Sequence, residues 1–374
     1  MPGETDAAAS RRLDLLLVGF GHVGLCFARL LSDLTPRLAE EHGLRTRIIG
    51  VSTARHGSAL APDGLDPTDL AARRAGGLDL SALHDPATGP PPRDGLELVA
   101  RAAALPTTAD GRVMVEATTL EPRTGRPALD HVRTALDAGL DVVTVNKGPA
   151  AIACRALRDL ARRRGVAFLF EGAVMDGVPI FNLVREALPA VRILGFRGVV
   201  NSTTNYVITA MEDGRAAAEA LAEMQAAGIA EADPSLDLDG WDAAAKVAVL
   251  VNALMDGELT PEAVPREGIT GLSPERVREA AARGARVRLV AQARREGSRI
   301  DARVALAEVP ACDLLATLRG TANALVFETD VLGEIAVIQP RGSLEQTAYA
   351  LVTDLVAVSR RLRVPRPARA DRTL

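Results

Sequence analysis

The chain has 374 residues, of which 48% are hydrophobic and 25% are charged, and its formal net charge is −4 at pH 7. This length is sufficient for two domains with a sizeable core. Such a mild negative charge gives no general attraction to nucleic acid or to an anionic membrane, so we expect neither of them and look for a small-molecule partner. The three cysteines, at positions 26, 154 and 312, lack the spacing of a metal site or a disulfide framework, which indicates a cytoplasmic protein. No secretion signal and no membrane-spanning segment is predicted.

Short apolar runs alternate with helical stretches in the first part of the chain. "LDLLLVG" from Leu13 is followed by "FGHVG" and a long helical stretch, and "RTRIIGVS", "GRVMVEAT" and "LDVVTVN" are later apolar runs. This alternation predicts a parallel sheet with helices on both faces, in a Rossmann-type α/β nucleotide-binding domain over residues 1–150. Residues 57–110 are polar and rich in proline, which predicts a mobile surface loop region.

The pattern changes after about Pro179. "VRILGFRGVVNSTTNYVITAM" predicts a strand followed by a helix, and the later segments predict antiparallel hairpins. We therefore expect an α+β domain with an antiparallel or mixed sheet over residues 151–340. A C-terminal helix, about 340–362, is expected to complete the first domain, and residues 363–374 are expected to be a disordered tail.

The stretch "GFGHVG" places Gly19, Gly21 and Gly24 in the spacing of a dinucleotide-binding turn. The first glycine permits a tight turn, the second lets a pyrophosphate approach the backbone, and the third allows close helix packing. The motif is weak by itself, but here it follows a strand and opens a helix whose first amides would face the phosphates. Dinucleotide binding is therefore favoured over a helix start that merely contains glycine.

The end of the second predicted strand bears on the choice of dinucleotide. A site that prefers NAD usually presents a carboxylate there to the ribose hydroxyls. This chain has "VSTARHG", with Ser52, Thr53 and Arg55 and no acid. An arginine would pair with a 2′-phosphate, so NADP is favoured over NAD. The alternative is that Arg55 is a solvated loop residue.

Lysine occurs only at Lys147 and Lys246, and every other fixed cation is arginine. A lysine amine can be tuned to transfer a proton, whereas arginine stays charged. A GC-rich genome would explain why lysine is scarce, but not why it stands at these two positions. Lys147 follows an apolar strand at its carboxyl end, where open α/β sheets place ligands. The alternative is a solvated loop charge.

Lys246 comes at the end of an acidic stretch, "GIAEADPSLDLDGWDAAAK". Asp242 lies one helical turn before it, and a surface pair of this kind would be worth only about 0.2–0.5 kcal/mol. The small and apolar residues around Lys246 predict burial instead, and the pKa of a buried amine held by carboxylates can be set for proton transfer. Glu231 and Asp237 could bind the ammonium group of an amino-acid substrate. This constellation favours an amino-acid oxidoreductase over a structural ion network.

Taken together, these segments resemble the homoserine dehydrogenase family from Leu13 to about Leu355. The matching runs are "GFGHVG", "VEATT", "VTVNKGP", "EGAVMDGVPI", "VVNSTTNY", the acidic stretch and "GTANAL…TAYALVTDL". The acidic stretch with its lysine is far more specific to that family than the glycine motif is. The resemblance implies the reversible, NAD(P)-dependent reduction of aspartate 4-semialdehyde to homoserine, a step towards threonine and methionine.

The resemblance also implies roles for individual residues. Lys246 would transfer the proton and Lys147 would polarise the carbonyl group. The predicted substrate-binding residues are Glu231, Asp237, Asp242 and Thr204. The predicted coenzyme-binding residues, from the glycine motif and the resemblance together, are Gly19, Gly21, His22, Val23, Gly24, Arg55, Thr118, Asn146 and Gly342. A monovalent cation, sodium or potassium, would be held by the backbone carbonyls of Glu171, Val174, Asp176 and Val178.

The chain departs from the family pattern at Ser202, at Asp176 and over Arg341–Ser343, a loop that approaches the nicotinamide end of the coenzyme. Two alternatives therefore stay open. One is a diverged oxidoreductase of the same build that acts on another amino-acid semialdehyde, and the other is a dinucleotide-binding regulator without turnover. The resemblance implies that the second domain binds substrate and forms a homodimer through residues 286–340. We expect no regulatory domain after the last helix.

Overall fold

A computed structural model describes residues 10–227, 230 and 233–362. The first sheet consists of β1 (Arg11–Val18), β2 (Leu44–Ser52), β3 (Ser58–Leu65), β4 (Gly111–Glu116), β5 (Asp141–Thr144) and β6 (Phe168–Leu169). The second consists of β7 (Ile193–Val199), β8 (Ala285–Glu296), β9 (Arg299–Pro310), β10 (Asn323–Thr329) and β11 (Gly333–Gln339).

The α-helices are α1 (His22–His42), α2 (Pro67–Ala75), α3 (Gly95–Ala104), α4 (Ala128–Asp137), α5 (Lys147–Arg164), α6 (Ser202–Glu212), α7 (Ala217–Ala226), α8 (Ser235–Leu238), α9 (Trp241–Leu254), α10 (Pro274–Ala282) and α11 (Leu344–Leu362). Shorter 3₁₀ turns lie at Leu80–Leu83, Pro86–Thr88, Glu171–Ala173, Pro261–Ala263 and Leu314–Thr317, and a π-helical turn at Leu183–Ala187. Over the ranges that the structure describes, every helix is too short or too polar to cross a bilayer.

The first sheet confirms the Rossmann-type α/β fold. Its strand order is β3-β2-β1-β4-β5-β6, and all neighbours are parallel except β2 and β3. Helices cover both faces, so the central strand β1 is buried on both sides. Its buried leucines are Leu13, Leu15, Leu16 and Leu17. The carboxyl ends of β1, β4 and β5 therefore meet at one edge, where the sequence predicted the coenzyme.

Residues 57–110 are not the surface loop region that their composition predicted. They form β3, α2 and α3 together with two short turns. Leu60, Leu70 and Leu98 are buried, because β3 extends the sheet and the helices pack against its neighbours. Pro62 lies in β3, an edge strand, and the other prolines lie at helix starts or in connecting segments. Proline is tolerated at such positions, so the composition alone was misleading.

The second sheet confirms the predicted antiparallel hairpins. Its order is β11-β10-β7-β8-β9, and every neighbouring pair is antiparallel. Helix α9 is apolar on nearly all sides and buried, because it packs against α5 of the first unit and against β8 and β9 of the second. Asp242 and Lys246 in α9 consequently lie at the junction between the two sheets.

Helix α11 returns to the first sheet and packs against α1. The predicted domain division at residue 150 stays a proposal. Since β6 pairs with β5 beyond that residue, we propose a boundary after Leu169, with α11 belonging to the first domain. The predicted tail, 363–374, lies outside the described residues.

Candidate active site

The glycine motif forms a turn whose three glycines have different surroundings. Gly19 has φ +87°, and a Cβ there would lie 2.5 Å from the backbone of Ala117. At Gly24 a Cβ would lie 2.9 Å from the Phe20 ring. At Gly21, by contrast, no atom lies within 4 Å of an added Cβ, and α1 starts there without a side-chain cap. The space beside Gly21 is thus open and the first amides of α1 have no side-chain cap, which fits a pyrophosphate.

The next two predicted coenzyme residues form the first turn of α1. His22 is exposed and Val23 is half-buried. Arg55 is exposed in the connection from β2 to β3, where the hydroxyls of Ser52 and Thr53 are engaged in hydrogen bonds with Ser58 and the Gly57 carbonyl.

Arg74 is a residue near the glycine turn that the sequence did not indicate. Its Nε donates to the carbonyl oxygen of Phe20 at 2.9 Å, so α2 holds a guanidinium group against the predicted coenzyme loop. Nothing in the local pattern of α2 marks Arg74, because the contact depends on how the helix packs.

A buried carboxylate, Glu116, organises the loops after β4 and β5. One of its oxygens accepts hydrogen bonds from the amide of Thr118 at 2.9 Å and from the Thr118 hydroxyl. The other accepts from the Thr144 hydroxyl at 2.7 Å, and that hydroxyl accepts from the Asn146 amide at 2.9 Å. The Asn146 side chain closes the ring by donating to the Thr118 carbonyl at 3.0 Å. Sequence analysis missed Glu116, although an acid that ends a buried strand is a detectable signal.

The ring of hydrogen bonds fixes the position of Lys147. Asn146 caps α5, because its side-chain oxygen accepts from the amide of Gly148 at 2.9 Å. Lys147 is the first residue of that helix. Burial raises the pKa of Glu116, although its hydrogen bonds to Thr118 and Thr144 act in the opposite direction.

Both lysines of the chain contact one carboxylate. The Nζ of Lys246 lies 2.9 Å from Oδ2 of Asp242, and the Nζ of Lys147 lies 3.2 Å from Oδ1. Lys246 also donates to the carbonyl oxygen of Val200. The side chains of Lys246 and Asp242 are each 13% exposed and that of Lys147 is 21% exposed, so this is not a solvated surface pair.

The charges of this cluster set the protonation of its members. Burial alone would raise the pKa of Asp242, but the ammonium groups of Lys246 and Lys147 lower it further than burial raises it. Burial would lower the pKa of Lys246, yet Asp242 offsets this effect and the pKa is raised. Burial and the charge of Asp242 raise the pKa of Asp237. Lys246 is therefore a charged ammonium before substrate binds.

Asn201 joins the carboxylates of Asp237 and Asp242. Its side-chain nitrogen donates to Asp237 at 2.7 Å and to Asp242 at 2.9 Å, while its oxygen caps α6 by accepting from the Thr204 amide at 2.9 Å. The structure places Thr204 behind this cap, with its side chain buried and its hydroxyl donating to the Asn201 carbonyl at 3.1 Å. Glu231 lies outside the described residues. Sequence analysis missed Asn201, although an asparagine directly before a helix is a recognisable cap signal.

The segment predicted to hold a cation begins at Glu171. Its buried carboxylate accepts from the amides of Phe181 and Asn182, both at 2.8 Å. Its own amide donates to Asp354 of α11 at 3.0 Å, and burial raises the pKa of Asp354 to about 8. These hydrogen bonds hold the segment in place, and they occupy both carboxylate oxygens of Glu171.

The backbone after Glu171 makes an unusual turn. Met175 and Asp176 both have positive φ, 56° and 52°. Among the described residues, no hydrogen bond reaches the carbonyl oxygens of Val174, Asp176 or Val178. Unpaired carbonyl oxygens are suitable ligands for a hard monovalent cation, so the segment fits the predicted site. No group of three or more acidic, histidine or cysteine side chains suited to a metal ion occurs in the described ranges.

Comparison with known proteins identifies the family. The family model described as homoserine dehydrogenase matches residues 179–356. The chain is 37% identical to an NAD(+)-dependent homoserine dehydrogenase of Pseudomonas canavaninivorans, over 92% of this chain and 95% of the relative. It is 33% identical to a homoserine dehydrogenase of Methanocaldococcus jannaschii, over 92% and 98% of the two chains. The crystal structure of a putative homoserine dehydrogenase from Archaeoglobus fulgidus superposes with a TM-score of 0.78 at 30% identity, covering 93% of this chain and 99% of that one. The chain therefore belongs to the homoserine dehydrogenase family and is an oxidoreductase that depends on a nicotinamide dinucleotide.

Proposed function

We propose that the protein interconverts homoserine and aspartate 4-semialdehyde. The observation that supports this reaction best is that the amines of Lys147 and Lys246 converge on Asp242, next to the loops that carry Thr118 and Asn146. A primary amine can both stabilise a developing alkoxide and exchange a proton with it, whereas a guanidinium group cannot give up its proton.

The roles of the side chains follow from this geometry. The turn around Gly21 and the start of α1 would hold the nicotinamide dinucleotide, whose chemistry would be hydride transfer to or from the carbon that carries the oxygen. Lys246 is charged and is held by Asp242 and the Val200 carbonyl, so it donates its proton to the carbonyl oxygen during reduction. Lys147 adds a second positive charge that stabilises the oxygen as its negative charge grows. Asp237, with Glu231 as the sequence predicts, binds the amino group of the substrate.

For the coenzyme we propose a preference for NADP over NAD. Three features support it: β2 ends without an acid, Arg55 is exposed beside that end, and Arg74 is held against the glycine turn. Guanidinium groups pair well with a phosphate. The relative from Pseudomonas canavaninivorans is named for NAD(+), so both coenzymes have to be compared.

An initial-rate assay of homoserine oxidation, run with NADP and with NAD in turn, tests these proposals. Turnover with either coenzyme supports the reaction, and a higher kcat/KM with NADP supports the preference. No turnover of homoserine together with turnover of another amino alcohol would overturn the proposed substrate. Binding of a dinucleotide without turnover of any amino alcohol would favour a regulator instead.

We also propose that sodium or potassium binds at the backbone carbonyls of Glu171, Val174, Asp176 and Val178, the last three of which accept no hydrogen bond from the described residues. The support is their unpaired state and the two positive φ angles beside them. Exchange of both ions for a bulky organic cation at constant ionic strength should lower the melting temperature, because a ligand of the folded state stabilises it. Equal melting temperatures in all three salts would overturn the proposal.

We propose a homodimer formed through the second sheet. Strand β11 lies at the edge of that sheet, and an unpaired edge is a template for pairing with another chain. Exposed apolar side chains accompany it, namely Val331, Leu332 and Ile338. Light scattering after size-exclusion chromatography should give twice the chain mass, and a monomer would refute the dimer. A role in threonine and methionine synthesis and the cytoplasmic location stay predictions.

A further inference from the structure

One carboxylate, that of Asp176, holds both ends of the connection from β11 to α11. Its Oδ2 accepts from Nε2 of Gln339, the last residue of β11, at 2.9 Å. Its Oδ1 accepts from the hydroxyl of Thr347, in the first turn of α11, at 3.0 Å. Gln339 also donates to Gln346 at 2.7 Å. Asp176, which is distant in the chain, therefore binds the residues on both sides of the short loop 340–343.

The two elements that flank this loop connect it to α1 and to the lysine cluster. Helix α11 packs against α1, and burial together with the nearby carboxylate of Glu345 raises the pKa of Cys26 on α1. On its other side, Asp176 is one of the charges that favour the ammonium form of Lys246. The loop thus leads into the part of α11, around Glu345, that lies near Cys26 of α1.

Contact with Asp176 also explains why position 342 is a glycine. A Cβ at Gly342 would lie only 2.5 Å from Oδ2 of Asp176 and 3.6 Å from Nε2 of Gln339. Gly342 has no positive φ in this structure, so an alanine would be compatible with its backbone. A side chain at this position would therefore force the Asp176 carboxylate to move, whereas the backbone conformation would tolerate it.

The network continues from the loop towards the substrate carboxylates. The side-chain oxygen of Gln339 accepts from Nδ2 of Asn323 at 3.1 Å, and the same nitrogen donates to the hydroxyl of Ser202 at 2.8 Å. Gln339 and Asn323 are buried. Ser202 follows Asn201, which binds Asp237 and Asp242. Asp176, Ser202 and the loop 341–343, the three places where the chain departs from the family pattern, are thus parts of one network.

We propose that Asp176 is a positioning residue that holds the loop 340–343 in the conformation that receives the dinucleotide. A loop that is already ordered does not lose conformational entropy when the ligand binds, so its affinity is higher than that of a loose loop. The carboxylate achieves this by satisfying one donor on each side of the loop, which no apolar side chain at position 176 could do. The role deepens the proposed function, and it concerns dinucleotide binding, which can be measured without any substrate.

The test measures the Kd for NADP and for NAD by titration calorimetry in the absence of homoserine. Asp176→Ala should raise the Kd of the better coenzyme about tenfold, which corresponds to about 1.4 kcal/mol and to the loss of hydrogen bonds to a charged group. Asp313→Ala is the matched control, since Asp313 also joins two segments, through Arg197 at 2.9 Å and the amide of Leu315 at 2.8 Å. Both variants should lose similar amounts of thermal stability, and the control should keep the wild-type Kd.

A double variant separates this role from a general loss of structure. Gly342→Ala alone should weaken binding, because its methyl group displaces the Asp176 carboxylate. In the Asp176→Ala background the same methyl group meets no carboxylate, so Asp176→Ala/Gly342→Ala should bind within about twofold of Asp176→Ala alone, as expected for coupled neighbours.

Two results would overturn the proposal. One is a wild-type Kd in Asp176→Ala. The other is a Kd in the double variant that rises by the product of the factors measured for the two single variants. If Asp176→Ala does not fold, Thr347→Val removes only the donor on the α11 side and should raise the Kd by a smaller factor. An unchanged Kd in Thr347→Val would then refute the role. A protein that binds dinucleotide as described but does not oxidise homoserine would leave this inference standing while the proposed function fails.

Discussion

Lys246→Arg tests the proposed chemistry most directly, because it keeps the positive charge and removes the transferable proton. In the structure Nζ of Lys246 lies 2.9 Å from Asp242 and the side chain is 13% exposed. A longer guanidinium group in this confined position should cost about 1–3 kcal/mol of unfolding free energy through overpacking. General acid–base catalysis contributes about 10²–10⁴-fold to a rate. We therefore expect kcat for homoserine oxidation to fall by a factor in that range.

The assay combines initial rates with two controls. Urea unfolding should show that Lys246→Arg is folded. Its affinity for the dinucleotide should stay within about threefold of the wild type, because Lys246 belongs to α9 and not to the glycine turn. Lys147→Arg is the matched variant: it keeps the second charge, whose predicted role is electrostatic, and should lose less activity. A Lys246→Arg enzyme that keeps more than about a tenth of the wild-type kcat would refute proton transfer by Lys246, since the loss would fall short of an acid–base contribution.

Other predictions concern the charges around the two lysines and the coenzyme. Asp242→Asn leaves two ammonium groups without their shared carboxylate. The free energy of unfolding, measured in urea, should therefore fall by about 3 kcal/mol, near the lower end for a broken buried ion pair; a stability equal to that of the wild type would contradict the shared pairing. Homoserine oxidation requires the neutral amine of Lys246, which is scarce at neutral pH because the pKa of Lys246 is raised. We therefore expect log kcat to rise with pH with a slope of about one. A kcat that stays constant at alkaline pH would argue against Lys246 as the base. Glu116→Gln replaces an acceptor with a donor in the ring that positions Thr118 and Asn146, so kcat should fall about tenfold or more, and a normal rate would show that the ring is not needed. Arg55→Glu should shift the ratio of kcat/KM values from NADP towards NAD, and an unchanged ratio would remove Arg55 from the site.

Buried polar residues explain most of what sequence analysis missed. Glu116 and Asp176 accept hydrogen bonds from segments that are distant in the chain, and Asn201 donates one to such a segment. Hydrophobic periodicity carries no information about such partners. The error over residues 57–110 has a related cause. Their proline and charge content is typical of loops, yet their leucines are sufficient to build a strand and two helices once a neighbouring sheet offers an apolar surface.

The sequence by itself determined the two-domain α/β and α+β fold and the residue types of the site. Alternating apolar runs specify strands and helices because burial follows the geometry of each element, and the glycine turn is defined by local sterics. The tertiary structure alone decided that Lys147 of α5 and Lys246 of α9 share the carboxylate of Asp242, and that the Asp176 carboxylate binds Gln339 and Thr347 on the two sides of the loop around Gly342. Such contacts depend on how α5, α9 and α11 pack together, and that packing is set by many apolar contacts that no short stretch of sequence contains.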